Sequence, residues 1–118
     1  NNGGAIYVRD TNAGLYSTLA NSTIASASAD LSSASSGYGG QITSTGQASG
    51  GPFVAQAPFN GAANNVGAMT TTPQQLLTTP APITTGTGTF RLKAKAAALT
   101  PSAPDYADTI TLIAAMNF

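Results

Sequence analysis

The sequence predicts an all-β fold: an antiparallel β-sandwich, immunoglobulin-like or jelly-roll-like, with about seven short strands. Three observations predict it. Apolar and polar residues alternate at period two in several short stretches, turn residues punctuate those stretches, and no segment shows convincing helical period. At 118 residues the chain has the length of one domain, so residues 1–118 are read as a single unit.

Taken in order, GGAIYVRDTNAGLYSTLA predicts a hairpin. Ala5 to Arg9 and Leu15 to Leu19 form its strands, and Asn12 and Gly14 lie in the turn because both tolerate positive φ. STIASASADLSS alternates small and polar residues around Ile24 and Leu31, and YGGQITS supplies another short strand. Residues 45–67 are rich in Gly, Ala, Asn and Gln, with Phe53, Val54 and Phe59 as isolated anchors, and are read as a long loop with room for a short edge strand. TPQQLLTTPAPITTG adds a strand around Gln75 to Thr79, which Pro80 and Pro82 end.

The last two strands carry the clearest pattern. In TGTFRLKAKAAA, Phe90, Leu92, Ala94 and Ala96 fall opposite Thr89, Arg91, Lys93 and Lys95. Leu, Lys and Ala favour helix, yet the apolar set recurs at i, i+2, i+4, which is strand spacing. Leu92 is therefore expected in the core and Lys93 on the polar face. After the Pro101 and Pro104 connection, Ile110, Leu112, Met116 and Phe118 share one face of the closing strand. That strand is expected to pair with the Phe90 strand on one side.

Composition narrows function. Charged residues are 7% of the chain, against about a quarter in an average soluble domain, and the net charge is zero. The only cations are Arg9, Arg91, Lys93 and Lys95, too few to form the basic patch that nucleic acid or an anionic membrane surface needs. The longest nearly apolar run, Ile110 to Met116, is far short of the roughly 20 residues that span a bilayer, so no membrane insertion is expected. The sequence shows no signal peptide and no initiator Met, as expected of a mature, processed product or of a fragment of a longer precursor.

No catalytic, cofactor or metal residues are assigned. Without His or Cys the chain has no imidazole base, thiolate nucleophile or common nitrogen or sulfur ligand. Its acids are Asp10, Asp30, Asp105 and Asp108. Asp105 and Asp108 lie on opposite faces if extended, so Asp105 is read as a turn cap and Asp108 as solvated or bonded to Thr. Gly-rich SGYGGQ and ASGGPF lack the Lys-Ser/Thr of a phosphate loop and are read as turns. Asn21-Ser22-Thr23 is a glycosylation sequon, making Asn21 a candidate glycan site. An isopeptide bond from Lys93 or Lys95 to Asn117 is disfavoured, because both lysines fall on the polar face. The tyrosines Tyr7, Tyr16, Tyr38 and Tyr106 are read as packing residues.

The closing PDYADTITLIAAMNF resembles the last strand of spore-coat-U-type pilins, subunits of archaic chaperone–usher pili, and the opening AIYVRDTNAGLYS is similar to an earlier strand-turn-strand of those domains. More loosely, ALTPSAPDYADTITL resembles the final strands of bacterial β-sandwich surface domains. The cysteine pair common in those pilins is absent, and the match does not extend to the half that carries their donor strand. The resemblance implies an extracellular or cell-surface location.

The function expected from these features is that of a structural subunit of an extracellular filament or surface layer. Copies would polymerise by strand addition, with Ile110, Leu112, Met116 and Phe118 at the groove where donor and acceptor meet. The alternative is an adhesin, carbohydrate-binding or virus-decoration module. No cofactor is expected, and the expected partners are copies of the same chain; a secretion chaperone or host ligand is left unspecified.

Overall fold

The computed structural model describes residues 2–116. The chain is all-β and sandwich-like, and its strands pair antiparallel. Twelve strand segments form, more than the seven expected, because five are two-residue pieces too short to show a period. They are β1 (Gly4–Asp10), β2 (Gly14–Ser17), β3 (Ser22–Ala25), β4 (Ala29–Asp30), β5 (Gly37–Gly46), β6 (Ser49–Gly50), β7 (Val54–Ala55), β8 (Asn65–Val66), β9 (Gln74–Thr79), β10 (Ile83–Thr84), β11 (Thr87–Lys95) and β12 (Ile110–Met116).

One layer is a sheet in the order β12-β1-β9-β7. The opposite layer centres on the long β5–β11 ladder, with short ladders β2–β3, β4–β8 and β6–β10 at its margins. β1 is central because its residues suit that place. Val8 is fully buried on the inner face, with Ile6 packed beside it, and no proline interrupts its hydrogen bonds. β9 matches it through a bulge: Ile6 faces Leu77 and Tyr7 faces Gln75, so Leu76 is the extra residue. That bulge lets two consecutive leucines both turn inward, at 2% and 4% exposure, which simple alternation forbids.

Two expected pairings are corrected. The N-terminal hairpin does not form, since β1 pairs with β12 and β9 while β2 pairs with β3. The bend at 11–13, with Ala13 at φ 49°, carries the chain from one layer to the other instead of folding it back. The closing strand pairs with β1 from Gly4↔Met116 to Asp10↔Ile110, and not with β11. Its apolar face matches that of β1, and the connection 96–109 is long enough to cross between layers where a tight hairpin is not.

The core consists of Val8, Ile24, Tyr38, Ile42, Phe53, Phe59, Met69, Leu76 and Leu77. Phe53 and Phe59 pin the 45–67 segment, within which β6, β7 and β8 form. Phe59 meets Phe90 edge to face, with centroids 6.2 Å apart. The Phe90 ring lies so close over Gly40 that a methyl group there would overlap it.

Candidate functional site

β11 and β12 are both edge strands. Among the described residues β11 pairs only with β5 and β12 only with β1. They come near each other at two surface clefts, which they meet in opposite order along the chain. At one end Leu92 and Ala94 of β11 share a cleft of about 510 Å³ with Asp108 and Ile110. At the other end Gly86, just before β11, shares a cavity of about 220 Å³ with Ala114 and Met116.

The faces turned to these clefts are apolar. Directly opposed residues of an antiparallel ladder share a face, so Ile110, Leu112, Ala114 and Met116 lie on the side of Asp10, Val8, Ile6 and Gly4. By the same rule Phe90, Leu92 and Ala94 lie with Ile42, Gly40 and Tyr38. The parity read from the sequence holds in both strands, but the burial does not. Leu92 is 46% exposed, Leu112 56% and Met116 62%, although each belongs to an inward face. The expected core position of Leu92 is thus corrected to the wall of the first cleft. Ile110 packs against the core, and Phe118 lies outside the described residues.

At the cleft end, the β1–β12 ladder joins two carboxyls from opposite ends of the chain. Asp10 is 1% exposed, and neither of its oxygens has a donor in hydrogen-bonding geometry. Asp108 Oδ2 is also buried and without a donor, whereas Oδ1 accepts the N–H groups of Thr11, Asn12 and Thr109 at 3.3, 3.2 and 2.8 Å. Burial, then the close approach and charge of the Asp108 carboxyl, push the Asp10 carboxyl up to about 6, against the nearby Ala13 N–H, which lowers it. Burial, followed by the Asp108 charge, also raises the Tyr38 phenol, so the three side chains form one cluster.

Asp108 is thus bonded to Thr, as expected, through the N–H groups of Thr11 and Thr109, while its other oxygen is buried. Asp105 is a cap, but of a distant turn. It accepts the Ser17 hydroxyl, the Thr18 hydroxyl at 2.8 Å and the N–H groups of Thr18 and Leu19 at 3.0 Å each. The Ser17 bond, then the Leu19 N–H, lower its pKa to about 2. These bonds tie the 96–109 connection to the β2–β3 turn and so fix one side of the Asp108 cleft.

The remaining sequence candidates lie elsewhere. Asn21 is exposed beside that turn with φ 47°, and its Oδ1 accepts the Tyr16 hydroxyl at 3.3 Å. Lys93 Nζ donates to the Ala63 carbonyl at 2.6 Å, and Asn117 is outside the described residues. Tyr106 donates to the Pro101 carbonyl at 2.7 Å. Among the described residues no three His, Cys, Asp or Glu side chains gather as metal ligands, and no helix is long and apolar enough to cross a membrane.

No protein-family model, curated protein or solved structure matches the chain.

Proposed function

We propose that this chain is a structural subunit of an extracellular filament or surface layer, and that copies join by inserting a strand of one into the groove of the next. The observation that supports this reading is the pair of unpaired strand edges, β11 and β12, whose inward faces leave Leu92, Leu112 and Met116 exposed. Unshielded edges of this kind are protected in natural β proteins by charge, proline, bulges or another chain, and β12 from Ile110 to Met116 carries no charge and no proline. A strand laid between the two edges satisfies both sets of backbone groups at once. It also covers three large side chains, each contributing about 1 to 2 kcal/mol when its remaining surface is buried.

The low charge, the lack of His and Cys and the pilin-like closing stretch support the same reading. Because such a contact relates unlike surfaces, repetition does not close and produces an open polymer.

The test is electron microscopy and light scattering of the purified chain over a range of concentrations. Fibres or extended oligomers that vanish with Leu112→Asp are expected. A stable monomer at high concentration overturns the proposal and leaves the adhesin or carbohydrate-binding module as the better reading.

A further inference from the structure

Asn60 and Gly61 form a slack point between two firm anchors. On one side Phe59 is fully buried; its N–H donates to the Gln56 carbonyl and its carbonyl accepts the Ile42 N–H, both at 2.8 Å. On the other side the Gly61 carbonyl accepts the side-chain amide of buried Gln41 at 2.8 Å. Between them Asn60 is exposed in a turn, and among the described residues neither its side chain nor the Gly61 N–H has a hydrogen-bond partner.

Among the described residues no other asparagine combines these features. Asn12 and Asn65 donate from their side chains to the Ala107 and Ala62 carbonyls, Asn21 accepts the Tyr16 hydroxyl, and the N–H that follows Asn64 is bound to the Ala62 carbonyl. The chain's other Asn-Gly pair is Asn2-Gly3. There Gly3 is buried, so close to the Thr79 carbonyl that a methyl group on it would overlap that oxygen.

A main-chain nitrogen next to an asparagine side chain is a latent nucleophile, and glycine presents it without a side chain to block the approach. We propose that Asn60 is a self-modification site, converted to isoaspartate through the Gly61 nitrogen, and that the conversion loosens this segment from β5. The Gly61 nitrogen gives up its proton and bonds to Asn60 Cγ; the Cγ–Nδ2 bond breaks, and Nδ2 leaves as ammonia with that proton. Water then opens the cyclic imide. Cleavage at Cγ gives aspartate, whereas cleavage at the main-chain carbonyl carbon gives isoaspartate, whose backbone runs through Cβ and Cγ and is longer by a carbon. Nothing is oxidised or reduced.

The added carbon falls between two fixed points. Phe59 cannot shift without opening a cavity, so the Gly61 carbonyl moves off the buried Gln41 amide, which keeps only its longer bond to the Ala63 carbonyl at 3.2 Å. The new carboxylate also gives a formally neutral chain a net negative charge.

The full chain is incubated at mildly acidic and mildly alkaline pH and mapped by peptide mass spectrometry, with fragmentation that distinguishes aspartate from isoaspartate. Asn60 should convert at least about tenfold faster than any other asparagine, Asn2 included, with release of ammonia and a rate that rises with pH. In urea, where the restraint on Gly3 is gone, the rates at Asn2 and Asn60 should converge. No conversion at Asn60, or equal rates at Asn2 and Asn60 in the folded chain, overturns the site. The product separates from its parent by anion exchange, and in it the Ile42 amide should exchange faster with solvent while β1 amides stay protected. Unchanged exchange at Ile42 overturns the loosening.

Discussion

Val8 and Leu112 face each other across the β1–β12 ladder on the same side of the sheet, yet Val8 is fully buried and Leu112 is 56% exposed. One position further towards the edge, the inner face runs out of cover. The difference separates residues that hold the domain together from residues that wait for a contact.

Val8→Ala should therefore lower stability by about 1 to 3 kcal/mol through lost burial and a residual cavity. Leu112→Asp should leave the melting temperature of the monomer nearly unchanged while abolishing assembly. Chemical denaturation of both variants, together with sedimentation of the second, checks the pair. Strong destabilisation by Leu112→Asp would place that side chain in the core.

Stability should depend on pH through Asp10. Its folded pKa, about 6, lies above the unfolded value of 3.8, so the folded state holds the proton more tightly. The stabilisation is complete below about pH 4 and is lost as pH rises through 6, amounting to about 3 kcal/mol. Urea titrations between pH 4 and 7.5 should show this decline, and Asp10→Asn should flatten it.

Asp105 works in the opposite sense. Its pKa is lowered to about 2, so the bonds it accepts from Ser17, Thr18 and Leu19 persist above about pH 4 and weaken as pH falls towards 2. Asp105→Ala should speed amide exchange at Thr18 and Leu19 while leaving β5 amides protected. Unchanged exchange at those two amides would show that the turn holds without the cap.

Gly40 is a position where a small addition should disturb the core. A methyl group there meets the Phe90 ring, which is itself held against Phe59. Gly40→Ala should cost about 1 to 3 kcal/mol and displace the Phe90 ring, visible as shifts in the aromatic NMR signals of both phenylalanines.

The face of each long strand was legible in the sequence because alternation is a local property. Leu92 with Phe90, and Leu112 with Ile110 and Met116, fall on the inward sides that their spacing indicates. Which strand lies beside which was not legible. Nothing local in TITLIAAM distinguishes β1 from β11 as a partner, so the expected hairpin with the Phe90 strand gave way to a ladder between the two ends of the chain. Segments such as Ser49–Gly50 and Val54–Ala55 are too short to carry a period. The Asp10 and Asp108 pair escaped for the same reason as the ladder, since only that pairing brings them together. Its one local hint is that Asp10 continues the inward parity of Ile6 and Val8, an unusual place for a carboxylate.

The opposed directions of β11 and β12 impose a sense on whatever lies between them: an inserted strand is parallel to one wall and antiparallel to the other. In a polymer built by such insertion, every joint repeats that sense, and the two tips are chemically unlike. One tip presents an accepting channel that the other lacks. A single short peptide that fits the channel would therefore stop growth at one tip and leave the other active, giving a chain terminator that acts on the polymer without unfolding any subunit.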